Sequence, residues 1–262
     1  MMRRLLVFGM LTGLFAGLVA FAFASVAGEP QVDAAIAIEE AAIAVEEAPA
    51  PATGDHAESA EVSRNTQKGV GLAVATGLYG VAMGGLFAIA CAVAYGRIGT
   101  SRMRSTSAAV AAGGLVAVAL VPFAKYPANP PAVGDPGTID RRTGLYVVLV
   151  AVAVLAALIA AQAGRVLAAR VGPWNAALAA AGVFTVLVTV AAVLLPVVNE
   201  VPDSFPPELL WRFRLSSLGA QALVWVVLGL GFGPLADRVL NPAPSRAARS
   251  VAASAASSPS TG

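Results

Sequence analysis

Six long runs of this chain contain no Asp, Glu, Lys, Arg or His: roughly 5–27, 70–95, 107–124, 144–163, 176–198 and 215–235. At about 17–25 residues each, they are long enough to cross a hydrocarbon layer about 30 Å thick as helices. Backbone N–H and C=O groups find no partner in lipid, so each run must satisfy its own, which only a helix does. The expected fold is an all-α polytopic bundle of six spans, with five as the alternative. Charged residues make up 12% of the chain, about half the share of a soluble domain. The one cysteine, Cys91, lies in the second run, so no intramolecular disulfide forms.

The polar connections sort by parity. The N-terminus, 96–106, 164–175 and the C-terminal tail hold Arg3, Arg4, Arg97, Arg102, Arg104, Arg165, Arg170, Arg238, Arg246 and Arg249. Against these stands one acid, Asp237. Every other Asp and Glu falls in 28–69, 125–143 or 199–214. Short arginine-rich connections stay in the cytoplasm, so both termini are expected there and the acid-rich connections outside. The membrane domain is read as 1–240, and 241–262 as a disordered cytoplasmic tail rich in Ala and Ser.

The first run is preceded by Arg3-Arg4 and ends in Ala24-Ser25-Val26-Ala27, as a secretory signal would. Its length argues for retention. So do Gly9, Gly13 and Gly17 at four-residue spacing, a small face suited to close helix packing. Thr76, Gly80 and Gly84 share a face of the second run in the same way.

In 28–69, a heptad from Ile36 to Ala42 is nearly repeated from Ile43 to Pro49. As a helix it would place Glu39, Glu40, Glu46 and Glu47 on one side and collect cations at the surface. The Pro49-Ala50-Pro51 break and the low complexity after it favour a solvated spacer instead. His56, the only histidine, stands between Asp55 and Glu58, ligand types for a transition metal.

The connection from Lys125 through Pro127, Asn129, Pro130, Pro131, Asp135 and Pro136 is too rich in proline for a helix. Its side-chain oxygens are expected in fixed turns. The 199–214 connection offers Glu200, Asp203 and Glu208, then Trp211-Arg212-Phe213-Arg214. The Trp-Arg-Phe-Arg run suits the headgroup layer, and Arg212 and Arg214 are placed to pair with acids of neighbouring connections. Candidate cation ligands at an outer mouth are Asn129, Asp135, Glu200, Asp203 and Glu208. Tyr79, Met83 and Cys91 on the second run are candidates deeper in, with core packing as their alternative role. No nucleotide-binding or hydrolase motif occurs, so neither an enzyme nor a nucleic-acid binder is expected. A non-transporting membrane scaffold is the second class, favoured by the lack of intramembrane charge.

Four segments carry a family resemblance. They are Glu61 to Arg64, Leu78 to Phe87, Lys125 to Pro136, and Glu208 to Arg214. Together they resemble the CbtA-type cobalt transporter subunit family, from the N-terminus to about residue 235. The resemblance implies a multi-pass protein of the bacterial inner membrane, usually with about five spans, that moves Co²⁺ without a permanently bound cofactor. It also implies a small one-span partner, the CbtB type, bearing a histidine-rich metal site. Such a partner would supply the imidazoles that Co²⁺ favours and in which this chain, with one histidine, is poor.

Overall fold

The computed structural model describes residues 1–46, 63–97, 102–131 and 133–240. The repeat beyond Glu46, His56 and the 241–262 tail lie outside the described residues. The described chain forms α1 (Met2–Ala27), α2 (Glu29–Glu46), α3 (Arg64–Ala94), α4 (Met103–Lys125), α5 (Ile139–Leu194) and α6 (Pro207–Leu240). All but α2 are long and apolar enough to cross a membrane. The protein is an all-α polytopic bundle.

Helix α5 has 56 residues, about 84 Å if straight, far more than one crossing needs. It breaks at Gly172, whose φ of 80° and ψ of 161° are not helical. Pro173 follows, starting the second arm where its missing N–H is harmless. The arms fold back on each other. A methyl built on Gly164 would lie 3.1 Å from Ala180 Cβ, whereas 16 residues of continuous helix would separate them by about 24 Å. The α5 hairpin therefore supplies two rods, 139–171 and 173–194. The expected 164–175 connection shrinks to this single break, because helical hydrogen bonding continues past the apolar limits until Gly and Pro interrupt it.

Lipid-facing helices gain little from hydrophobicity, so association rests on close packing. Helix α1 packs most intimately against α3, and also against α6. A Cβ on Gly9, Gly13 or Gly17 would fall 2.4, 2.0 or 2.2 Å from the carbonyl oxygens of Gly84, Gly80 and Thr76 respectively. The two backbones are thus in contact, with no room for a side chain between them. The first run is a central element of the bundle. Below this seam Leu5, Phe87, Cys91, Met103, Trp225, Leu228 and Phe232 form the main core. Phe87 meets Trp225 and Phe232 edge-on, at centroid distances of 6.4 and 5.7 Å.

The antiparallel contacts of α1 with α6 fix the ends. Phe23 touches Gly219, and Thr12 touches Gly231, so the start of α1 and the end of α6 lie together. At that end Asp237 accepts the Met103 N–H at 3.1 Å and pairs with Arg104 at 3.2 Å. It thereby caps α4 from another helix. At the opposite end Ala35 of α2, Val133 and Phe205 form a small buried cluster. The three acid-rich connections therefore meet at one end of the bundle, as parity predicts. Residues 29–46 are helical rather than an open spacer. Glu29 and Asp33 hold α2 to α3 through Arg64, with the Arg64–Asp33 contact at 3.0 Å, and Lys68 adds a 3.5 Å contact.

Candidate functional site

The connector end is hollow. A cavity of about 880 Å³ opens between the 126–138 and 195–206 segments and the ends of α4, α5 and α6. Along α6 its lining runs from Arg214 through Ser217 to Gln221, a descent of about 10 Å. At the floor, the Gln221 amide meets the Tyr79 hydroxyl of α3 at 3.4 Å.

The walls follow from local chain chemistry. Pro122 in α4 has no N–H to donate to the Val118 carbonyl, four residues back. A wide turn over Leu115–Leu120 absorbs the fault, and Tyr146 of α5 reaches the freed carbonyl at 3.4 Å. Beyond α4, Tyr126 donates to the Pro196 carbonyl at 2.8 Å, tying the two connectors. Pro127, Pro130 and Pro131 line the cavity. The Lys125 ammonium lies 6.0 Å from the Tyr126 ring centroid.

Glu200 is the hub. Its carboxylate accepts from the Thr138 hydroxyl at 2.7 Å and the Asp135 N–H at 3.0 Å, and it pairs with Arg142 at 3.2 Å. The Thr138 hydrogen bond, with the Asp135 N–H and Arg142, holds the Glu200 carboxyl below its usual range, against partial desolvation. Gly134 permits this arrangement. Its φ is 119°, and a Cβ there would lie 2.3 Å from the Arg142 guanidinium. Asp135 turns its own carboxylate back to the Gly137 N–H at 2.8 Å.

Of the proposed mouth ligands, Asn129 and Glu200 line the cavity, while Asp135 meets Glu200 through its backbone N–H and is not part of the lining. Asp203 sits exposed in a turn, and Glu208 pairs with Arg212 on the helix surface at 2.6 Å; neither lines the cavity. Arg212 thus pairs within its own helix rather than with a neighbouring connection. Arg214 takes neutral acceptors, Asn129 Oδ1 at 2.9 Å and the Ala128 carbonyl at 3.3 Å. Thr138 and Arg142 were not singled out from sequence. Their four-residue spacing at the start of a span was the only signal.

On α3, Tyr79 is half-exposed, while Cys91 is fully buried and Met83 packs against the same core. We expect native Cys91 to resist N-ethylmaleimide and to react fully once the protein is unfolded. Rapid native labelling would place the thiol on a wetted path instead.

Among the described residues no group of three or more His, Cys, Asp or Glu side chains is arranged to hold a metal. A model for the probable cobalt transporter subunit, CbtA, matches residues 2–237. The chain belongs to the CbtA family. Membership makes it a multi-pass membrane protein concerned with cobalt transport, and one subunit of a larger assembly. No curated protein and no solved structure matches this CbtA chain.

Proposed function

We propose that this CbtA chain forms the membrane path of a cobalt transporter in the bacterial inner membrane, with both termini cytoplasmic and the hollow end outside. The observation that carries the reading is the cavity that leads from the connector end to Gln221, inside the spans. The orientation rests on the short arginine-bearing connections at the terminal end. The acid-bearing outer connections collect the cation. Asn129 and Glu200 line the mouth, Asp135 adjoins Glu200 through its backbone N–H, and Asp203 and Glu208 stand exposed outside the cavity. The chain catalyses no reaction and holds no resident cofactor. A small one-span, histidine-rich subunit of the CbtB type docks on it and provides imidazole ligands, which the described residues lack.

Deleting the gene in a strain without another cobalt importer should abolish uptake of radiolabelled cobalt. Uptake at the wild-type rate would sink the proposal. The closed aromatic contact of Phe87 with Trp225 and Phe232 favours a second reading, a scaffold that conducts nothing by itself. Liposomes holding the chain with and without the small subunit separate the two. A path-forming chain gives flux once its partner is present, and a scaffold alone gives none.

A further inference from the structure

The charges facing the cavity do not suit a bare cation. Among the described residues three charged side chains line it: Arg142, Glu200 and Arg214. Glu200 is matched to Arg142 at 3.2 Å, which leaves the positive charge of Arg214 uncompensated. Among the described residues no carboxylate pairs with Arg214. Its partners, the Ala128 carbonyl and Asn129 Oδ1, carry no formal charge. A guanidinium has five N–H donors and keeps its charge at any physiological pH. Two of its three nitrogens are engaged here, so Nη1 keeps its donors on a side chain that lines the cavity. Apolar walls, including Phe123 and Leu218, weaken screening of that charge. Ser217 and Gln221 add further polar contacts below it. The arrangement is a fork for a carboxylate, in a volume sufficient for a small chelate.

Resting on the transporter reading above, we propose that the cavity admits the metal as an anionic carboxylate complex, with a free carboxylate of the ligand seated on Arg214. A divalent metal bound to a tricarboxylate carries net negative charge, so the cation gathered at the outer connections passes this fork only once complexed, because the guanidinium attracts the complex and repels the hydrated ion. Cobalt then enters the cavity already coordinated, which accounts for a lining that, among the described residues, holds no imidazole or thiolate.

The test uses the full chain in detergent and citrate as the probe. Calorimetric titration should detect citrate binding to the wild type. Affinity should fall at least ten-fold in Arg214→Gln, fall less in Arg214→Lys, and hold in Arg97→Gln at the other end. Ser217→Asp places a carboxylate one turn from Arg214 and gives a test by sign. It should abolish citrate binding, whereas a site built for the bare cation would bind cobalt chloride more tightly in that variant. The proposal is overturned if the wild type binds no citrate, if Arg214→Gln and Ser217→Asp both leave its affinity unchanged, or if Ser217→Asp strengthens cobalt chloride binding. Uptake of radiolabelled cobalt by cells reports separately on the transporter reading. Gene-dependent uptake without citrate binding would sink this inference alone, and citrate binding without gene-dependent uptake would sink only the transporter reading.

Discussion

Gly13→Leu is expected to leave almost no folded protein. A single methyl at this position would meet the Gly80 carbonyl oxygen at 2.0 Å and Gly84 Cα at 2.8 Å. Neither atom belongs to a side chain that can rotate away, so α1 and α3 would have to separate along the whole seam. Over-packing by one or two methylenes in a well-filled core costs about 1–3 kcal/mol, and here the obstacle is backbone. Gly13→Ala should therefore lower stability by roughly that amount, and the leucine variant by more than the bundle can bear. Gly182→Leu is the control. Nothing lies within 4 Å of that position, and replacing a mid-helix glycine gains up to about 1 kcal/mol of helix propensity. Thermal unfolding in detergent, read with size-exclusion profiles, checks both. Equal stability of Gly13→Leu and Gly182→Leu would refute the backbone contact.

The second large effect is expected at Glu200. Glu200→Ala should cut cobalt uptake at least ten-fold, because one carboxylate joins the 195–206 segment to Thr138, Asp135 and Arg142. Its loss also leaves Arg142 without its acid partner at the cavity. Glu200→Gln keeps an oxygen for the Thr138 hydroxyl and should lose only a few-fold. The same contact sets a pH dependence. The folded state holds the Glu200 carboxyl below its usual range, which is about 4.3 in an unfolded chain. Its contribution is therefore complete above that ordinary value and disappears as pH falls through the lowered folded one. The cavity wall should stay ordered from pH 8 to 5 and loosen only in stronger acid. Hydrogen exchange over 195–206 at pH 7, 5 and 3.5 checks this, and Glu200→Ala should show fast exchange at all three. Loosening of the wild type between pH 7 and 5 would contradict the assigned hub.

Much of the architecture was legible in the chain because hydropathy is a local property. Charge-free runs of spanning length must be helical in lipid whatever their neighbours are. Parity of the connections then assigns ends, and the contact of Ala35 with Val133 and Phe205 bears that out. The Gly9-Gly13-Gly17 and Thr76-Gly80-Gly84 faces announced close packing, though not that they face each other. The limits of the helices were less legible. Hydropathy stops at the lipid boundary, whereas backbone hydrogen bonding runs on to Gly172 in one case and back to Arg64 in another.

The site was read least well, and for one reason. Asn129, Asp135, Glu200, Asp203 and Glu208 read alike as oxygen donors because they stand in connections on one side. Whether an acid faces a cavity, its own turn or an arginine depends on partners distant in sequence. Glu200 and Thr138 are 62 positions apart, and Arg214 and Asn129 are 85 apart. Composition alone therefore determined that this chain crosses a membrane repeatedly and which connections share an end. Only the folded bundle decided that Asp237 caps α4, that Tyr146 relieves Val118, and that Arg214 in the cavity pairs with no carboxylate among the described residues. Hydrophobic periodicity is written residue by residue, but the pairing of charges is settled only when helices meet.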